Sequence, residues 1–206
     1  PLKDRPIDLL FSGRTTYWPR RLRSHPTAHR KHLEDIWDGL PGNNKVLRVY
    51  DDFSGTKKGG RPVKVFQYPY EYVDALMKTK VVISPWGWSP WCVRDLEALA
   101  CGCIVIKPEC SNMLIYPDIY DAKKQFMVWG DIMYEHLPDQ LNYCYNNLEE
   151  MQHRVDRGHK FVFDALYPNA KIHERWTHGL RQILEQALEK PAYTLARNFP
   201  NDHEGR

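Results

Sequence analysis

The sequence predicts an α/β fold: a doubly wound, mostly parallel, Rossmann-like sheet of about five strands, with helices on both faces and a long C-terminal helix. Three observations lead there. Short apolar runs recur along the chain, and most are followed by a stretch whose apolar residues have helical spacing. The clearest case lies within residues 80–108, where Val81-Val82-Ile83 and Cys103-Ile104-Val105-Ile106 flank one helix-patterned segment. Two strands joined through a single helix must run parallel, with a right-handed crossover.

The elements follow in order. Residues 7–11 form the first strand, which ends at Ser12-Gly13. A glycine at that point lets the backbone approach a phosphate closely. A basic run comes next, with Arg20, Arg21, Arg23, His25, His29, Arg30, Lys31 and His32. Its charges read either as phosphate contacts or as a solvated face. Its histidines make no metal pattern with neighbouring carboxylates. A helix over 26–40 puts Leu33, Ile36, Trp37 and Leu40 at core spacing. Residues 46–50 are the second strand. Asp51 and Asp52 at its carboxyl end are candidate bases or simple turn caps. The polar, glycine-bearing stretch 51–67 carries Lys57, Lys58, Arg61 and Lys64 and has room for a short strand at 63–66. Residues 69–78 read as a short amphipathic helix with Tyr72, Val73, Leu76 and Met77 at its apolar positions.

After the strand at 81–83, Pro85 and Gly87 open a tryptophan-rich loop. The helix over 91–101 offers Cys92, Leu96, Leu99 and Ala100 as an apolar face, and Gly102 stops it. Beyond the strand at 103–106 come a loop at 109–113, a fifth strand at 125–129, and one or two helices over 137–147 and 148–166. A long final helix over 170–188 places Ile172, Trp176, Leu180, Ile183, Leu184 and Leu188 at helical spacing. Residues 1–190 therefore read as one domain and 191–206 as a polar tail.

Bulk properties narrow the function classes. The chain has 206 residues, a formal charge of +3 and five cysteines without a CxxC pair, which points to a reducing, cytoplasmic setting and no zinc site. No stretch approaches the roughly 18 apolar residues of a membrane span. No G-x-G-x-x-G follows the first strand, which disfavours a dinucleotide enzyme, and no P-loop is present. The chain opens almost directly on a strand without an initiator methionine, as expected for a domain excised from a longer protein.

In strand–helix–strand units ligands sit outside the carboxyl ends of the strands. That puts the loop 85–90, the start of the following helix and Lys107 onward at the candidate site. Arg94 and Glu97 share a helix face there. They read either as an anion partner and an acceptor for paired hydroxyls, or as an i,i+3 ion pair on a solvated face.

Pro85-x-Gly87, Arg94-x-x-Glu97-Ala98 and Gly102-Cys103-Ile104-Val105-Ile106, in that order, resemble the donor-binding signature of GT-B glycosyltransferases, in particular the group-1 and exostosin-like families. The resemblance implies a donor domain that holds a nucleotide-diphosphate sugar, a UDP- or GDP-sugar, with no metal or other cofactor required. It implies that Glu97 binds the ribose and that Gly13, with Arg14 beside it, lies near the diphosphate. Gly87 and Trp88 belong to the loop facing the donor. Arg94 and Lys107 supply cations to the leaving group, and Ser111 and Asn112 stand near the donor. Ser89 occupies the place of a second Glu in the commonest group-1 pattern. In this architecture the catalytic base commonly comes from another domain, so a second or neighbouring domain, a nucleotide-sugar donor and a carbohydrate acceptor are the expected partners. Asp51 and Asp52 are the local alternatives for the base, beside Arg94 as the catalytic cation. Two other classes remain open. One is a nucleotide- or nucleic-acid-binding module built on the basic run and the Lys57–Lys64 loop; the other is a non-catalytic scaffold domain with a vestigial site.

Overall fold

The computed structural model describes residues 1–13, 28–49, 69–87, 89–113, 115 and 117–166. Five strands, β1 (Ile7–Gly13), β2 (Lys45–Val49), β3 (Thr79–Ile83), β4 (Ile104–Pro108) and β5 (Met127–Gly130), form one sheet in the order β2-β1-β3-β4-β5. Every pair is parallel. The first strand runs past its expected end because Ser12 and Gly13 stay in register with Arg48 and Val49. The helices are α1 (Ala28–Ile36), α2 (Pro69–Met77), α3 (Val93–Ala100), α4 (Leu137–Asn146) and α5 (Leu148–Leu166), the last with 19 residues the longest described. The expected strand at 63–66, the helix over 170–188 and the tail from 191 lie outside the described residues.

Side chains alternate across the sheet as the pleat requires. Leu9, Phe11, Val81, Ile83, Ile104 and Ile106 face one core with Leu33 and Trp37 and with Leu137, Leu141 and Cys144 of α4. Leu10, Val82 and Val105 face the other, with Ala75 and Leu76 of α2 and Ala98 and Leu99 of α3. Helices thus cover both faces, and the sheet is doubly wound. The crossover changes sides between β1 and β3, which makes that pair the topological switch point.

Two helices keep part of their expected faces, with Tyr72 and Leu76 of α2 and Leu96, Leu99 and Ala100 of α3 against the core, and differ in the rest. On α2, Ala75 and Leu76 go inward while Val73 and Met77 are exposed. On α3 the buried positions are Asp95, Ala98 and Leu99, so an aspartate sits on the stripe that faces the core. Gly102 ends α3 as expected. Its φ is +69°, and the N–H groups of Gly102 and Cys103 return to the carbonyls of Leu99 (3.0 Å) and Ala98 (2.9 Å), a complete Schellman closure. A Cβ on Gly102 would also stand 2.9 Å from Arg5 Nη2. Among the described residues no helix is long and apolar enough to cross a membrane.

Candidate functional site

Two arginines cross at the carboxyl ends of β1 and β3. Arg30 lies on α1, which follows β1, yet its Nε donates to the Trp86 carbonyl in the loop after β3, at 2.7 Å. Arg94 lies on α3, which follows β3, and reaches back over the end of β1. Its guanidinium carbon is 5.6 Å from the Phe11 ring centroid, and Nη2 stands 2.9 Å from where a Cβ on Gly13 would be. Any other residue at position 13 would push the guanidinium away. Gly13 and Arg94, both expected site residues, therefore meet at the switch point, where open α/β sheets hold ligands.

The remaining expected residues fall around this pair. Glu97 is exposed, and the Tyr72 hydroxyl of α2 hydrogen-bonds its carboxylate. Burial holds that phenol well above its ordinary pKa; Arg94 pulls it back and Glu97 adds to the rise. Gly87 donates its N–H to the Ser89 carbonyl at 3.0 Å, and Ser89 Oγ donates to the Trp91 carbonyl at 3.0 Å. The loop is tied to β4 by Trp86 Nε1, which donates to the Pro108 carbonyl at 3.3 Å. Ser111 gives its N–H to Glu109 Oε1 at 2.6 Å, and Asn112 beside it is exposed, in the turn after β4. Arg14, Asp51, Asp52 and Trp88 lie outside the described residues.

Lys107, read as a cation for the diphosphate, is wholly buried. Its Nζ is 2.9 Å from Asp95 Oδ2 and 5.4 Å from the Tyr120 ring centroid. The same carboxylate accepts from Ser84 Oγ on Oδ1 and from the Tyr120 hydroxyl on Oδ2. Removing two ions from water costs several kcal/mol each. The ion pair and two charge-assisted hydrogen bonds, at about 1.5–3 kcal/mol per bond, offset that cost. Burial first, and then the Asp95 charge, drive the Tyr120 phenol far above its ordinary pKa.

His29 and Tyr134 complete the cluster. His29 is 1% exposed, and among the described residues its ring finds only a poorly aligned contact with the Trp86 carbonyl. Burial, and then the charges of Arg30 and Lys107, push its pKa down to about 4 against the opposing Trp86 carbonyl. Tyr134 is held at φ +60°, a conformation costing a bulky side chain roughly 1–2 kcal/mol. Its hydroxyl is buried and has no hydrogen-bond partner among the described residues; burial lifts the phenol well above its ordinary pKa while Arg30 and Arg94 pull the other way.

Asp95 and Tyr134 were not singled out from the sequence. For Asp95 a signal existed, since 95, 98 and 99 make an i, i+3, i+4 set on which an acid interrupts an apolar stripe. Nothing local marks Tyr134. Among the described residues no group of three or more His, Cys, Asp or Glu side chains is arranged to hold a metal ion. Comparison with protein-family models and with curated proteins finds no match to this chain.

Proposed function

We propose that the chain is the donor-binding domain of a glycosyltransferase of GT-B type, which requires no metal. It binds a nucleotide-diphosphate sugar, with uridine or guanosine as nucleoside, across the carboxyl ends of β1, β3 and β4, and the sugar passes to a hydroxyl of a carbohydrate acceptor. The observation that carries this reading is the approach of Arg94 to Gly13 at the switch point. It supports a place where backbone and a guanidinium both face a diphosphate, and a cation there stabilises the charge that develops on the leaving nucleotide. Glu97, exposed and one turn further along α3, accepts the ribose hydroxyls. A neighbouring domain supplies the acceptor site and the base. The five free thiols fit a reducing, cytoplasmic setting. The sealing of Lys107 against Asp95 favours a second reading, a non-catalytic scaffold domain whose site is vestigial.

A thermal-shift panel of UDP, GDP, ADP and CMP, each with and without Mg²⁺, separates the two. Stabilisation by one of the first two, unchanged by metal and weakened in Glu97→Ala, is the expected result. A shift seen only with Mg²⁺ removes the metal-free GT-B reading. No shift with any nucleotide leaves the scaffold.

A further inference from the structure

We propose that Asp95 is the positioning residue of this site: its carboxylate, through Ser84, Tyr120 and Lys107, sets where α3 begins and hence where Arg94 and Glu97 stand. What the site binds rests on the reading above; the geometry does not.

Helix α3 starts without a side-chain cap. Its N-cap residue is Cys92, whose side chain makes no capping hydrogen bond. In a capping box the acid at the third helical position reaches back to the N–H of the N-cap residue. Asp95 holds that third position, but its two oxygens are turned to Ser84, Tyr120 and Lys107 instead. Tyr120 relays the contact instead: its hydroxyl accepts the Cys92 N–H at 3.4 Å and donates to Asp95 Oδ2. Ser84, just past β3, and Lys107, in β4, hold the carboxylate from the other side. The first turn of α3 is thus fixed from outside, by three segments that converge on one carboxylate.

The far end of the helix is independent of this. Ala98 and Leu99 are packed in the core, and the Schellman closure at Gly102 holds the last turn. Losing the Asp95 charge therefore relaxes the first turn, with Arg94 on it, and leaves the second half docked. Asparagine cannot substitute, because its one carbonyl oxygen cannot serve Ser84, Tyr120 and Lys107 together.

The test compares Asp95→Asn with the double variant Asp95→Asn/Lys107→Met. The single variant strands a buried ammonium and lowers Tm. The double variant removes both charges and returns Tm close to wild type. In both, the amides of residues 92–97 exchange roughly tenfold faster, the size of one lost hydrogen bond, while those of 98–103 keep their protection. In both, Kd for UDP or GDP, whichever the wild-type chain binds, rises by a similar factor. The proposal is overturned if exchange at 92–97 is unchanged, or if exchange and Kd recover together with Tm in the double variant. Should the wild-type chain bind neither nucleotide, the donor reading falls and hydrogen exchange alone decides the role of Asp95.

Discussion

At the amino ends of the strands, Arg5 gives Nη1 to the Thr79 carbonyl at 2.7 Å and Nη2 to the Cys101 carbonyl at 2.9 Å, with Leu76 at 3.4 Å. Asp8 accepts from Lys80 and from the N–H groups of Asn43 and Asn44, and these outweigh its partial burial to keep its pKa low. Thr79 Oγ1 donates to the Ala75 carbonyl at 2.6 Å. The carboxyl ends differ. There Tyr134 and Gln140 each bury a polar atom without a hydrogen-bond partner among the described residues, and Lys107 has the Asp95 carboxylate as its counter-ion. Among the described residues no polar side-chain atom buried at the amino ends lacks a partner, whereas the carboxyl ends keep unmet polar atoms and a strained tyrosine. Unmet buried polar groups concentrate where a fold gives up stability for a site, whereas the left-handed backbone of Tyr134 has a counterpart at Gln125, before β5.

Four substitutions bear on that contrast. The largest effect belongs to Lys107→Met, which leaves the Asp95 carboxylate buried without its counter-ion. A loss of about 3–5 kcal/mol in urea unfolding is expected, and a loss below about 1 kcal/mol would mean the pair carries little of the carboxyl end. At the amino end, Arg5→Ala strips a charged donor from the Thr79 and Cys101 carbonyls and should cost about 3 kcal/mol. Thermal protection by nucleotide should survive that change; its disappearance would join the two ends and erase the distinction between them.

His29 gives the contrast a pH dependence. Its folded pKa, about 4, lies below the ordinary 6.5. The unfolded chain therefore binds the extra proton first, and stability falls as pH drops from 6.5 towards 4. At the lower end the loss reaches about 2–3 kcal/mol. Chemical denaturation at pH 7 and at pH 4.5 measures it, and His29→Leu should flatten the difference; an equal slope in that variant would assign the acid sensitivity elsewhere. The smallest effect is expected for Tyr134→Phe. Deleting a hydroxyl without a partner among the described residues should change stability by less than about 1 kcal/mol, in the favourable direction. A clear destabilisation would reveal that the hydroxyl has a partner after all.

The order of elements was legible because strands and helices announce themselves through spacing, and β1 to α5 fall within a few residues of their expected limits. The facing of short helices was harder. Large apolar residues suggested Val73 and Met77 as inward positions on α2, yet the small Ala75 is what lets that helix lie close to the sheet. On α3, Leu96, Leu99 and Ala100 do meet the core as expected, and Asp95 was hidden because a charged residue beside them reads as solvent-facing. The meeting of Gly13 with Arg94 depended on two motifs far apart in the chain, and each was visible separately. The partners of Asp95 were not, because Ser84, Lys107 and Tyr120 come from three segments whose convergence is a property of the packed sheet. No local pattern records it.

Helix α5 lends Met151 and Val155 to the core on one face of the sheet and Val162 to the core on the other. At Gly158, where a Cβ would stand 3.1 Å from Leu99, it lies directly against α3. A helix that closes both layers couples their unfolding: neither can peel away while the other stays folded. Denaturation of the described domain is accordingly expected to be a single cooperative event, which coincident urea transitions in far-UV and near-UV circular dichroism would check.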